Sequence, residues 1–525
     1  MKMASKTVHI PLNTMDHMPP PNYSNFIYYL PLKPGVSARE AFEFLQKGLQ
    51  ITFARLPWLA GKVFPASPTA PNYRPGLLEI RYDLPEGDAT IPLHQFRFKE
   101  LESSLTYNEI RETDFHPETF DDATVTWAPY LPDVTKGADV FVAQANALPG
   151  GIVLTMAICH VVSDGVGIMN AARAWANGCR ELHLGASHTT LPPQISDHEV
   201  LERACDAYEG QTKKSADQFP PESWRLLNME PPYAAGQEEP APAPAPASFL
   251  VTKSSDGVPR MMKSYLFYIP PAKVAALREN CIRELGGDVD LSINDVVCAL
   301  IWRSLLKARV SGARDASKCD GAPAADGNTS PNVRPSTFEG VEARLQLPFD
   351  ARPYLSHDVV PSDYMGNFTM MNQVVLPLAD LVAPSTSVAS VARTIREGAK
   401  GITAERLMEA YALLRTLFQN GKPSMKLNKT LAVGGTGLII TSLVAFPLSD
   451  LCFEPDETRT TFFGNGGKPE AMRTLMGAIN QVFRYGAVLP RKQHGGIEFA
   501  VNALDEEFDA LMRDEELCKY ALLME

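Results

Sequence analysis

The stretch Ile152-Val153-Leu154-Thr155-Met156-Ala157-Ile158-Cys159-His160-Val161-Val162-Ser163-Asp164-Gly165 decides the reading of this chain. It is an almost unbroken apolar run of strand length, with Pro149, Gly150 and Gly151 before it and Gly165 and Gly167 after it, the punctuation that bounds a buried strand. The run delivers one imidazole, His160, to the end of a rigid element. Residues 166–183 then carry Ile168, Ala171, Ala172 and Trp175 at helical spacing, so a helix is predicted there and Asp164 falls near its start. An aspartate in that place caps free N–H groups and faces the positive end of the helix dipole. For His160 the plain alternative is a satisfied core histidine.

At 525 residues, with 45% hydrophobic and 21% charged residues, the chain can bury large cores, and two domains are expected. The net charge of −12 argues against a nucleic-acid partner. An anionic cofactor needs only a local cluster of Lys and Arg. No segment reaches the length of a membrane span and no apolar h-region follows Met1 to Lys6, so neither a membrane association nor a leader is expected. The cysteines are scattered without a Cys-x-x-Cys pair, which suggests no disulfide framework and no zinc site and makes a reduced, cytoplasmic compartment the default. His183, His188, Asp197 and His198 are the one histidine-rich stretch. No helical pair or strand alternation aligns them as ligands, and no metal is expected.

Residues 229–258, with Pro231-Pro232 and an Ala-Pro run through Ala247, have the composition of extended, solvated chain. They divide the sequence into an N-terminal domain, 1–228, and a C-terminal domain, 259–525, with a surface insertion near 311–336. In the first part a strand through Phe26 to Leu30 precedes a helix whose Ser37-x-x-Glu40 fits a capping box, with Phe42, Leu45, Leu49 and Phe53 on one face. In the second, a strand from Tyr265 to Ile269 is followed by a helix opened by Pro270-Pro271, and a further helix starts at Ser292. Strand-then-helix in both parts predicts two α/β domains of similar plan.

His160-x-x-x-Asp164-Gly165 resembles the signature of acyltransferases that use coenzyme A thioesters. Thr14-Met15-Asp16, Arg55 to Gly61, Ser292-Ile293-Asn294-Asp295 with Ile301-Trp302, Asp350-Ala351-Arg352, Gly366-Asn367 and Gly495 to Glu498 look like blocks of the BAHD acyltransferases in that family's order. The resemblance covers nearly the whole chain and is closest in detail to the fungal branch that includes trichothecene 3-O-acetyltransferases. It implies an α/β fold of two chloramphenicol-acetyltransferase-like domains with mixed sheets and an active-site channel between them. It also implies acyl-CoA as co-substrate, with CoA contacts at Lys263, Ser292 and Asn294 and weaker candidates at Lys468, Arg473, Arg491 and Lys492. In the family the carboxylate corresponding to Asp164 turns away from the histidine and pairs with an arginine, which would be Arg352 here. Two blocks depart from the pattern. Phe462-Phe463-Gly464-Asn465-Gly466 stands where the family has Asp-Phe-Gly-Trp-Gly, and Thr441-Ser442-Leu443 lacks the tryptophan that often follows the serine.

Acyl transfer from a thioester to an alcohol or amine needs a base near the acceptor proton, because alkoxide is scarce at neutral pH. An imidazole with a reference pKa of roughly 6.5 is mostly neutral at pH 7 and serves as that base. His160 would take the proton as the acceptor attacks and return it to the departing thiolate. An acyl-enzyme route would need a nucleophile beside it. Strand alternation points Cys159 to the opposite face, and Ser163 has no evident third residue to orient a triad. Direct transfer in a ternary complex, within a monomer that needs no partner subunit, is therefore expected. Three functions stay open: an acyl-CoA-dependent O- or N-acyltransferase of secondary metabolism acting on a small-molecule acceptor, a same-fold enzyme using His160 for proton abstraction or cyclisation, and a non-catalytic ligand-binding protein.

Overall fold

The computed structural model describes residues 7–70, 73–84, 91–184, 197–210, 214–230, 260–319, 338, 340–421, 431–446, 448–454, 461–492 and 495–524. Most of the expected linker, most of the expected insertion and His188 lie outside the described residues.

The run 151–159 forms a strand, Gly151–Cys159, in which every residue is buried. Its two faces meet different cores, which is why the sequence shows no polar alternation. Ile152, Leu154, Met156 and Ile158 enter the main core of the first half, while Val153 joins Tyr107 and Phe115 in a smaller one behind the sheet. The five-stranded sheet has the order Ala471–Arg473, Tyr23–Pro31, Gly151–Cys159, Phe141–Leu148, Phe96–Glu100, with the last pair parallel and the others antiparallel. The helices Ala38–Arg55 and Gly165–Leu184 pack on it and on each other, and Trp175 Nε1 reaches the carbonyl of Leu45 at 2.8 Å. Ser37 caps the first of these helices by accepting the N–H of Arg39 at 3.2 Å, in place of the expected reciprocal box with Glu40.

The second half holds a seven-stranded mixed sheet built around Glu342–Asp350, Gly437–Ser442, Tyr485–Val488, Ile497–Ala503 and Lys263–Ile269. The helices Pro271–Glu284 and Ile293–Cys319 follow as expected, the second started by a reciprocal cap: Ser292 Oγ accepts the N–H of Asp295 at 3.1 Å, and Asp295 accepts that of Ser292 at 2.7 Å. A four-stranded antiparallel sheet, Thr7–Pro11, Leu78–Asp83, Lys62–Pro65, Ala138–Asp139, flanks the first half.

Residues 259–525 are not a self-contained half. Ala471–Arg473 pairs with Tyr23–Pro31, and Leu451, Phe453, Phe463 and Met472 belong to the first half's core. The physical reason is the sheet edge at Tyr23–Pro31, which this returning segment covers with backbone hydrogen bonds and apolar side chains. A third core unites Met15, the helices Val200–Glu209 and Ala404–Gln419, Ala351 and Phe368.

Candidate active site

His160 directly follows the buried strand, and its main chain is held on both sides. Its N–H donates to the carbonyl of Asn22 at 2.7 Å, and its own carbonyl accepts from Asn367 Nδ2 at 2.9 Å. The residue is partly accessible, but its Nδ1 is buried. Burial lowers the pKa of the ring from its usual value, so the neutral imidazole prevails at pH 7. A neutral imidazole thus stands at the end of a rigid strand.

Asp164 does not orient that ring. Its carboxylate accepts the N–H groups of Val166 and Gly167 at 3.1 and 3.2 Å, which caps the helix Gly165–Leu184. It also accepts both guanidinium ends of Arg352 at 3.1 Å, the N–H of Phe368 at 2.8 Å and Thr369 Oγ1 at 3.0 Å. Arg352 donates in turn to Asp350 at 2.7 Å and to the carbonyls of Tyr364 and Gly366 at 2.9 and 2.6 Å. Both side chains of the pair are only 2% exposed. The cap and the ion pair exist together, and the pair ties the turn after the first half's strand to the second half.

Neither candidate nucleophile is available. Ser163 Oγ donates to the carbonyl of Met365 at 2.7 Å. The close approach behind it needs glycine at 167, where a Cβ would sit 2.0 Å from Ser163 Oγ and 2.3 Å from the Met365 carbonyl. Cys159 is buried, and desolvation pushes its thiol up to about 12, so it is protonated at neutral pH.

The proposed CoA contacts are not brought together. Lys263 pairs with Asp505 at 2.9 Å on an exposed surface. Asp505 precedes Glu506, whose carbonyl would lie 3.1 Å from a Cβ on Gly312, near the far end of the helix Ile293–Cys319. Ser292 and Asn294 sit at the near end, so the two positions are separated by about 28 Å of helix. Ser292 is engaged in the cap described above, and Asn294 Oδ1 accepts from Cys298 Sγ at 3.5 Å. Of the weaker candidates, Arg473 is 1% exposed and is consumed by Glu498 and by the carbonyls of Phe115 and Asp114. Lys492 pairs with the same Glu498 at 2.6 Å, while Arg491 is exposed.

His183 and His198 have separate partners, Glu454 at 3.7 Å and Asp16 at 2.6 Å, and no group of three or more ligating side chains could hold a metal among the described residues. Glu454 was invisible to sequence reasoning, being one acidic residue in an unpatterned stretch. It is fully buried and accepts the N–H groups of Thr461, Phe462 and Phe463 at 2.6, 3.1 and 2.9 Å. A carboxylate therefore anchors the loop whose expected aspartate is missing. For Asn367 the Gly366-Asn367 block is the one signal in the sequence.

No helix among the described residues is long and apolar enough to cross a membrane. Residues 118–464 match the model of the Transferase family, and residues 23–179 match that of the trichothecene 3-O-acetyltransferase-like N-terminal domain. Among curated proteins, the isocyanide synthase-NRPS hybrid crmA of Aspergillus fumigatus is 28% identical over 98% of this chain and 31% of its own length. O-acetyltransferase ptmV of Penicillium ochrochloron is 26% identical over 98% of this chain and 96% of its own. The chain spans half or less of two of the curated relatives it matches, 31% and 50% of their lengths. In fold it is similar to F. sporotrichioides TRI101, whose structure was solved with coenzyme A and T-2: the TM-score is 0.66 at 18% identity, covering 99% of this chain and 100% of that one.

Proposed function

The chain belongs to the Transferase family, of BAHD type, and on that premise we propose that it transfers an acyl group, acetyl or another short acyl, from acyl-CoA to a hydroxyl of a secondary metabolite. The acceptor attacks the thioester directly in a ternary complex, and His160 is the general base. The observation that carries this reading is the division of labour in the turn. The imidazole of His160 is neutral and belongs to a partly accessible residue, whereas Asp164 is spent on Arg352 and the helix cap.

Deprotonation by His160 raises the nucleophilicity of the acceptor oxygen only as the C–O bond forms, and the same proton then neutralises the departing thiolate. Occupied Ser163 and protonated Cys159 support transfer without an acyl-enzyme. The relatives point the same way: a curated relative matched end to end is named an O-acetyltransferase, and a protein of this fold was solved with CoA. CoA contacts are proposed at Lys263 and at the Ser292–Asn294 turn, and substituting the two sites separately assigns which end of the helix meets the donor.

The test is incubation with acetyl-CoA and a panel of hydroxylated metabolites, following free CoA thiol, with CoA binding measured by calorimetry. Acceptor-dependent CoA release is the expected result. Absence of release with every acceptor, together with absence of CoA binding, rules the reading out.

A further inference from the structure

Next to the His160 turn lies a second set of buried polar groups that neither the base nor the Asp164–Arg352 pair uses. Asp16 sits in the single turn Met15–His17, and its side chain, like that of His198, is fully shielded. His198 Nδ1 and Asp16 Oδ2 are 2.6 Å apart. The carboxylate also accepts the N–H of Asn13 at 3.0 Å and, on Oδ1, both the main-chain N–H and the side-chain Nδ2 of Asn367 at 3.0 Å. That same Nδ2 donates to the carbonyl of His160 at 2.9 Å. One amide group bridges a buried carboxylate and the main chain of the proposed base.

Two observations set this apart from ordinary packing. His198 Nε2 is buried with no hydrogen-bond partner among the described residues, so a polar atom is left unsatisfied to keep the ring on Asp16. Gly366, the neighbour of Asn367, is fitted to the pair: a Cβ there would stand 2.2 Å from Tyr364 Oη and 3.1 Å from His198 Nδ1. The hydroxyl of Tyr364 is itself held by Asn13 Nδ2 at 2.7 Å. Burying a carboxylate and an imidazole costs free energy, and here it fixes one backbone position.

We propose that Asp16, His198 and Asn367 form a positioning unit for His160. His198 orients Asp16, Asp16 holds the amide of Asn367, and Asn367 fixes the carbonyl beside which the His160 side chain leaves the strand. The inference rests on the reading of His160 as base. Asp16 and His198 act on His160 only through Asn367, whose amide holds the His160 carbonyl and reaches toward the ring, and their effect passes through the direction of the imidazole.

Steady-state CoA release from acetyl-CoA, with an acceptor from the panel or with water, is measured for the wild type and for Asn367→Ala, Asp16→Asn, His198→Ala, His198→Asn and His160→Ala. Thermal melts are run on the same samples. Asn367→Ala and Asp16→Asn are expected to lose about tenfold to a hundredfold in kcat, the scale of a base displaced by about an ångström, with KM for acetyl-CoA unchanged. His198→Asn, whose amide keeps a donor for Asp16, recovers most of what His198→Ala loses. In histidine-labelled protein the ring resonance of His160, assigned by its absence from His160→Ala, shifts in Asn367→Ala without any acceptor being needed. Should Asn367→Ala not fold, Asn367→Ser carries both measurements. Wild-type kcat in the Asn367 and Asp16 variants, a loss confined to KM, or an unmoved His160 resonance overturns the positioning unit while His160→Ala remains inactive. Full activity in His160→Ala overturns the base assignment instead.

Discussion

His160 and Asp164 stand four residues apart, yet the physics around them differs completely. Desolvation keeps the imidazole neutral and leaves it a lone pair, whereas the carboxylate is surrounded by donors and stays with Arg352. Removing one partner of such a pair strands the other's charge in the interior. Arg352→Ala is therefore expected to cost about 3–5 kcal/mol, read from urea denaturation midpoints. A loss under about 1 kcal/mol, the size expected of an exposed pair, would deny the pair its structural role. At this scale the sequence was legible where spacing or a motif spoke. The cap followed from Asp164 preceding a helix, and the arginine followed from family resemblance. Asn367 and His198 were not legible as a site, because their bonds to His160 and Asp16 span 207 and 182 residues and only the fold brings them together.

The strand Gly151–Cys159 was readable because burial on both faces leaves an unbroken apolar run, and the helices Ala38–Arg55 and Gly165–Leu184 because burial on one face leaves a helical period. Ala471–Arg473 has no such period, being three residues long and defined by the edge it covers. The loop before it depends on Glu454, which gathers three consecutive N–H groups into one buried carboxylate. Glu454→Gln removes the charge from those bonds. It is expected to lower stability by about 2 kcal/mol, seen as a drop of the thermal midpoint. An unchanged melt would show that the Phe462–Gly467 segment is held by its aromatic contacts alone, Phe462 stacked on Phe44 at 4.9 Å being the closest of them.

Across the whole molecule, buried histidines link stability to pH. His17 is locked between the carbonyl of Asn13 at 2.7 Å and the N–H of Leu78 at 2.9 Å, and burial lowers its pKa as it lowers that of His160. Both start from a usual value of 6.5, so below that pH the unfolded chain binds more protons than the folded one. Their contribution to stability is present in full above pH 6.5 and is lost as the pH falls toward the lowered folded values. Thermal midpoints should decline between about pH 6.5 and 5, and less steeply in His17→Gln. A midpoint that rises as the pH falls through that window contradicts the assignment of neutral buried rings. Two α/β halves were legible from their repeated strand-then-helix order. The return of Leu451, Phe453, Phe463 and Met472 into the first half's core was not, since tertiary packing rather than local pattern decides which sheet edge a short strand covers.

The most direct test of the central claim is His160→Ala assayed for acceptor-dependent CoA release beside calorimetric CoA binding. Loss of a positioned base predicts transfer slower by about 10²- to 10⁴-fold with CoA affinity unchanged. Transfer at the wild-type rate in that variant would contradict the account.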